Sequence, residues 1–161
     1  MTQILQIAIE FFEQNDWPFL RLDREPILQG DFRGGNGEWK CFAYADEEAQ
    51  RFAFYSVCPI SVPEDKIPTA AEFVNRANYA LIIGNFELNC ENGEVRFKTS
   101  IDVEGDRLST ALVERMVVIN VAMMDMYLPG IQKVINEGVS PAQAVAEIEG
   151  DAEQIDEQSE D

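Results

Sequence analysis

Two alternating runs joined by Asn92-Gly93 constrain the fold of this chain more than any other feature. Phe86, Leu88 and Cys90 alternate with Glu87 and Asn89. Past the turn, Val95, Phe97, Thr99 and Ile101 alternate with Arg96, Lys98 and Ser100. Successive side chains of a strand point to opposite faces, so each run has one core face and one wet face. Asn-Gly is the preferred pair for a type I′ hairpin turn. With that turn, Glu91 faces Glu94, Cys90 faces Val95, Leu88 faces Phe97 and Glu87 faces Lys98. A lone hairpin is not stable in water, so the rest of the chain must supply more strands and a cover.

It does so on both sides. Ile4, Leu5, Ile7, Ala8, Phe11 and Phe12 recur at helical spacing, which predicts an opening helix over 2–15 that Trp17-Pro18 ends. Strand-like runs follow at 19–22, 27–32, 38–45 and 51–58, with Gly34-Gly35-Asn36-Gly37 as a turn and Asp46-Glu47-Glu48 as an acidic loop. Trp39, Cys41 and Ala43 lie on one side of their strand and Phe42 and Tyr44 on the other, which predicts apolar cover on both faces. After prolines 59, 63 and 68, Thr69 with Glu72 reads as a capping box opening a second helix. Its apolar face is Phe73, Ala77, Ala80 and Leu81.

Ser109 or Thr110 opens a long third helix that runs to about Tyr127, where Pro129-Gly130 interrupts it before it continues to Gly138. Ser140-Pro141-Ala142-Gln143 is a second capping box, starting a short helix to about Glu149. The reading is therefore one domain over 1–149. From Glu147 to Asp161 there are eight acidic residues and no basic one, which predicts a disordered tail over 150–161. The segment 112–128 is apolar around most of its circumference and carries Met116, Met123, Met124 and Tyr127. Such a helix must be covered on more than one side. Together with the strand faces at Phe42, Tyr44, Phe54 and Tyr55, it offers more apolar surface than a small domain can cover, and so forms the candidate interface.

Composition narrows the chemistry. Of 161 residues, 12 are basic and 30 acidic, for a net charge of −18, which argues against nucleic acid and anionic membranes as partners. The segment 112–128 is too short and too charged to span a bilayer. There is no histidine, which removes the His-dependent nucleophile systems and His-ligated metal sites. Cys41, Cys58 and Cys90 are odd in number and far apart, so they read as small apolar residues with no disulfide framework. Without a signal peptide, such cysteines predict a cytoplasmic protein.

The possible sites fail on spacing. Gly34-Gly35-Asn36-Gly37 precedes a strand, whereas a phosphate cradle needs a helix N-terminus. Asp102-Val103-Glu104-Gly105-Asp106 opens like a calcium loop, but its glycine stands at position 4 and its twelfth residue is Val113. Glu47-Glu48 and Glu64-Asp65 are adjacent carboxylates on loops, the usual hydrated kind. No catalytic residue, cofactor or metal is assigned.

Helix, three or four strands, helix, hairpin and long apolar helix form an order that resembles the YbjN-like family over residues 1–138. The resemblance implies an α+β fold like that of type III secretion chaperones: a twisted antiparallel sheet flanked by helices in the order α-β-β-β-α-β-β-α. It also implies a homodimer, and carries no catalytic residues. The expected function is a non-enzymatic, chaperone-like or regulatory module holding a protein or peptide partner on an apolar surface. The alternative is a small-molecule binder or a carboxylate-based enzyme.

Overall fold

The computed structural model describes residues 3–159, with side chains through Glu153. Helix α1 (Gln3–Gln14) leads into strands β1 (Leu20–Arg21), β2 (Ile27–Arg33), β3 (Glu38–Asp46) and β4 (Arg51–Val57). A 3-10 turn (Glu64–Lys66) precedes α2 (Ile67–Asn78). The hairpin β5 (Asn85–Leu88) and β6 (Val95–Asp102) is followed by α3 (Thr110–Asn136) and α4 (Pro141–Ser159). The six strands form one antiparallel sheet in the order β1-β2-β3-β4-β6-β5, an α+β fold.

Helices α1 and α3 lie across one face of the sheet, and α2 and α4 complete that layer beside β5. The core sits between: Leu28, Trp39, Cys41, Phe52, Phe54, Phe86 and Phe97 point into it with at most 3% exposure. Helix α1 contributes Ile4, Leu5, Ala8, Phe11 and Phe12, the stripe that its spacing predicts. Its start is capped from a distance, where the Leu5 N–H donates to Glu47 Oε1 at 2.8 Å. A carboxylate at a helix N-terminus satisfies an orphan donor and complements the dipole. Glu47 is thus a capping group instead of half of a hydrated pair.

Several local readings change. The hairpin forms, but two residues out of the expected register: Leu88 pairs with Val95, Glu87 with Arg96, Phe86 with Phe97 and Asn85 with Lys98. Asn89 is the cause. Its side-chain oxygen accepts from the Glu91 and Asn92 N–H groups, and Asn92 Oδ1 accepts from Glu94 N–H, so the turn becomes a six-residue loop. A slip of two leaves every side chain on its predicted face. It does move Cys90 out of the ladder into an exposed loop. Gly93 has φ +75°, and a Cβ there would run into the Val62 carbonyl.

The capping box at Thr69 does not form; α2 begins three residues earlier, with Lys66 at its N-cap and Pro68 in its first turn. Pro favours the first turn because its missing N–H is not needed there. The box at Ser140 does cap α4, with Gln143 N–H donating to Ser140 Oγ at 3.2 Å. Helix α4 runs to Ser159 instead of stopping near Glu149.

Helix α3 passes through Pro129-Gly130 unbroken. A proline leaves the carbonyl four residues earlier without its helical donor, here that of Asp125. Asn36 supplies the missing bond: its Nδ2 donates to Asp125 O at 3.0 Å. Asp125 returns the contact, its carboxylate accepting from the Gly35 and Asn36 N–H groups at 3.1 and 2.8 Å. The β2–β3 turn is therefore clamped onto α3. Gly130 lets α4 cross closely, since a Cβ would collide with Ile148.

Candidate functional site

The described helices lie on one face of the sheet. On the other, the strand register builds a row with one residue from each strand: Leu20, Gln29, Phe42, Tyr55, Lys98 and Asn85. Ile27, Tyr44, Ala53 and Ser100 form the row on one side of it. Asp31, Lys40, Val57, Arg96 and Glu87 form the other. Ile27, Phe42, Tyr44, Tyr55 and Val57 make the apolar floor of a shallow hollow of about 420 Å³, with Glu94 and Arg96 at one end. Leu20 is 67% exposed and Tyr44 36%.

The charged border is ordered. The Arg96 guanidinium lies 4.4 Å from the centre of the Tyr55 ring. It also donates from Nε and Nη2 to Glu87 Oε2 at 2.9 and 2.7 Å, while Lys98 Nζ reaches Glu87 Oε1. Stacking on an aromatic face and a forked ion pair hold an arginine more firmly than either alone. Partial burial pushes the Glu87 carboxyl up, but the hydrogen bonds from Lys98 and Arg96 outweigh it and hold the group below its ordinary value.

The expected interface residues separate onto different surfaces. Phe42, Tyr44 and Tyr55 share the open face. Phe54 does not join them: it points the other way and is fully buried against the helices. Met124 and Tyr127 are core as well, at 0% and 3% exposure, while Met116 and Met123 are half-buried at its margin. What α3 leaves outward is a narrower stripe of Val118 (55% exposed), Ala122 and Met126. Ile27, Val57 and Arg96 belong to the open face too. Parity along β2, β4 and β6 carried the signal for them, but only the strand order brings them to Phe42.

Most of the remaining buried polar groups are occupied structurally, Trp39 Nε1 and Asn120 Oδ1 being without a partner among the described residues. Asn120 is fully buried, and its Nδ2 donates to Phe54 O and Phe97 O, tying α3 to two strands. Burial pushes the Cys41 thiol up to about 12 and the Cys58 thiol to about 11, so both stay protonated and behave as apolar residues. Among the described residues no three Cys, Asp or Glu side chains converge as metal ligands would, and no described helix is long and apolar enough to cross a membrane.

Residues 9–133 match the model of the YbjN family, described as "Putative bacterial sensory transduction regulator". Among curated proteins none matches the chain. Of solved structures, the chain is similar to YbjN from E. coli, at 13% identity and a TM-score of 0.56, over 76% of this chain and 86% of that one. It is also similar to the ExoT–SpcS complex from Pseudomonas aeruginosa, at 14% identity and TM-score 0.48, over 76% and 95%. The Yersinia pestis type III secretion chaperone SycH, in complex with a fragment of YscM2, gives 8% identity and 0.48, over 74% and 94%. Similarity at such identities concerns the fold.

Proposed function

We infer what the chain does from one premise: it belongs to the YbjN family. On this reading it is a non-enzymatic module, chaperone-like or regulatory, that binds a protein or peptide partner through the open face of its sheet. One observation carries the reading. An antiparallel sheet can leave one face to water, but that face is then polar. Here Ile27, Phe42, Tyr44, Tyr55 and Val57 adjoin on it. Contiguous apolar surface with a polar rim is what interfaces display. Aromatic rings in the floor and an arginine at its border are the residue types that carry binding energy.

The same reading gives the module a second copy of itself on the outward stripe of α3. Val118, Ala122 and Met126 follow helical spacing and stand exposed on α3, and two-fold dimers are the commonest way to cover such a stripe. The free cysteines support a cytoplasmic setting. In sedimentation equilibrium at micromolar concentration the chain should run at twice 18.2 kDa, more completely at high salt because screening relieves self-repulsion. Val118→Glu should return it to monomer, while Tyr44→Ser should not. A monomer at every salt concentration would remove the second copy. Affinity purification from the native cells then tests the sheet face: partners held by the wild type should be lost from Phe42→Ser/Tyr44→Ser, and an unchanged set would contradict the reading.

A further inference from the structure

The open face differs from the rest of the molecule in charge. Its strand pairs carry five basic side chains (Arg33, Lys40, Arg51, Arg96, Lys98) and five acidic ones (Asp31, Glu38, Asp46, Glu87, Asp102). The whole chain has 12 basic and 30 acidic residues, so seven and twenty-five remain for everything else. All but one unit of the −18 therefore lies off this face, Glu94 at the end of the hollow being the exception. Most of its cations are already paired, Arg33 with Glu38, Arg51 with Asp102, and Arg96 and Lys98 with Glu87. The face presents a nearly neutral apolar floor between acidic strand ends, with exposed Asp23, Glu25, Glu48 and Glu104 in the loops at the Tyr44 end and Glu94 at the other end of the hollow. Such acidic ends steer cationic partners toward the floor and repel anionic ones.

The dimensions narrow the partner further. The floor spans β2, β3 and β4, about 10 Å at the usual strand spacing, and runs from Tyr44 to the level of Val57, about 13 Å along the strands. A helix is about 10 Å across and presents anchors at i, i+3 or i+4 and i+7 over about 10 Å. Resting on the reading that the open face binds protein, we infer that its occupant is a short amphipathic helix, apolar on the seated side and basic along its flanks.

The experiment uses three labelled 14-residue peptides: a Leu/Lys amphipathic helix, its Leu/Glu counterpart with the same apolar positions, and a Leu/Lys peptide scrambled to have no apolar face. Anisotropy is read against the full chain and against Phe42→Ser, Tyr44→Ser and Tyr55→Ser, each checked for folding by circular dichroism. The Leu/Lys helix should bind, at least tenfold tighter than either other peptide. Each folded variant should weaken it severalfold, and high salt should weaken it too. Equal binding of the scrambled peptide would overturn the inference by reducing it to charge alone. Preference for the Leu/Glu helix, still lost in the variants, would overturn the basic partner while leaving the sheet face as the docking surface. Binding that no variant weakens, or no binding by either helix, would overturn the inference; only the first of these also counts against the face itself.

Discussion

Asn36 shows how much a single side chain can decide here. It closes the carbonyl that Pro129 orphans, so α3 stays one helix where the sequence predicts an interruption. Nothing local announces this, because the donor lies 89 residues away. Asn36→Ala should cost about 1 kcal/mol in urea unfolding, the usual net worth of one hydrogen bond. In a Pro129→Ala background the helix recovers its own donor, so the same change should cost less, and a double-mutant cycle would register the difference. Glu87 gives a prediction with a sign. Its folded carboxyl is held below the ordinary value, so it stabilises the fold above the unfolded pKa, and that contribution is lost as pH falls through the folded one. The stability advantage of wild type over Glu87→Gln should therefore be full at pH 7 and shrink as the solution is taken below the ordinary carboxylate range. An advantage that grew on acidification would reverse the assignment.

Among the elements, those with strict alternation or helical spacing were legible: α1, β2, β3, β4 and β6 stand within a residue or two of their predicted bounds. What the residues did not disclose was pairing. Asn89 caps its own loop and moves the hairpin by two, a choice between two turn chemistries that both suit Asn and Gly. Phe54 was legible as apolar but not as core, because β4 is apolar on both faces and alternation cannot say which one the helices take. Gly93→Val tests the loop directly. It puts a β-branched residue at φ +75° and against the Val62 carbonyl, so it should destabilise by several kcal/mol; a silent substitution would contradict the loop. The end of α4 is tested by truncation after Gly150. A Cβ at Gly150 meets nothing, and the segment beyond it is acidic. Removing that segment should leave the thermal midpoint within a few degrees, whereas a large fall would show that it docks.

At the scale of the molecule, a sheet covered on one side divides the labour of the chain. The helical layer holds the fold, and α3 shows a narrow apolar stripe to solvent; the opposite face combines an apolar floor with balanced charge in an acidic protein. The candidate interface read from the sequence merged these surfaces, since residue types alone cannot separate two sides of one sheet. The central claim is that the face around Tyr44 is where a protein partner seats. Its most direct measurement is photo-crosslinking in the native cells with benzoylphenylalanine in place of Tyr44, with Glu104 replaced in the same way as an exposed control. The account predicts a discrete adduct with another protein from position 44, absent from position 104 and lost when Phe42→Ser is added. Adducts equal at both positions, or a yield at position 44 that Phe42→Ser leaves untouched, would contradict it.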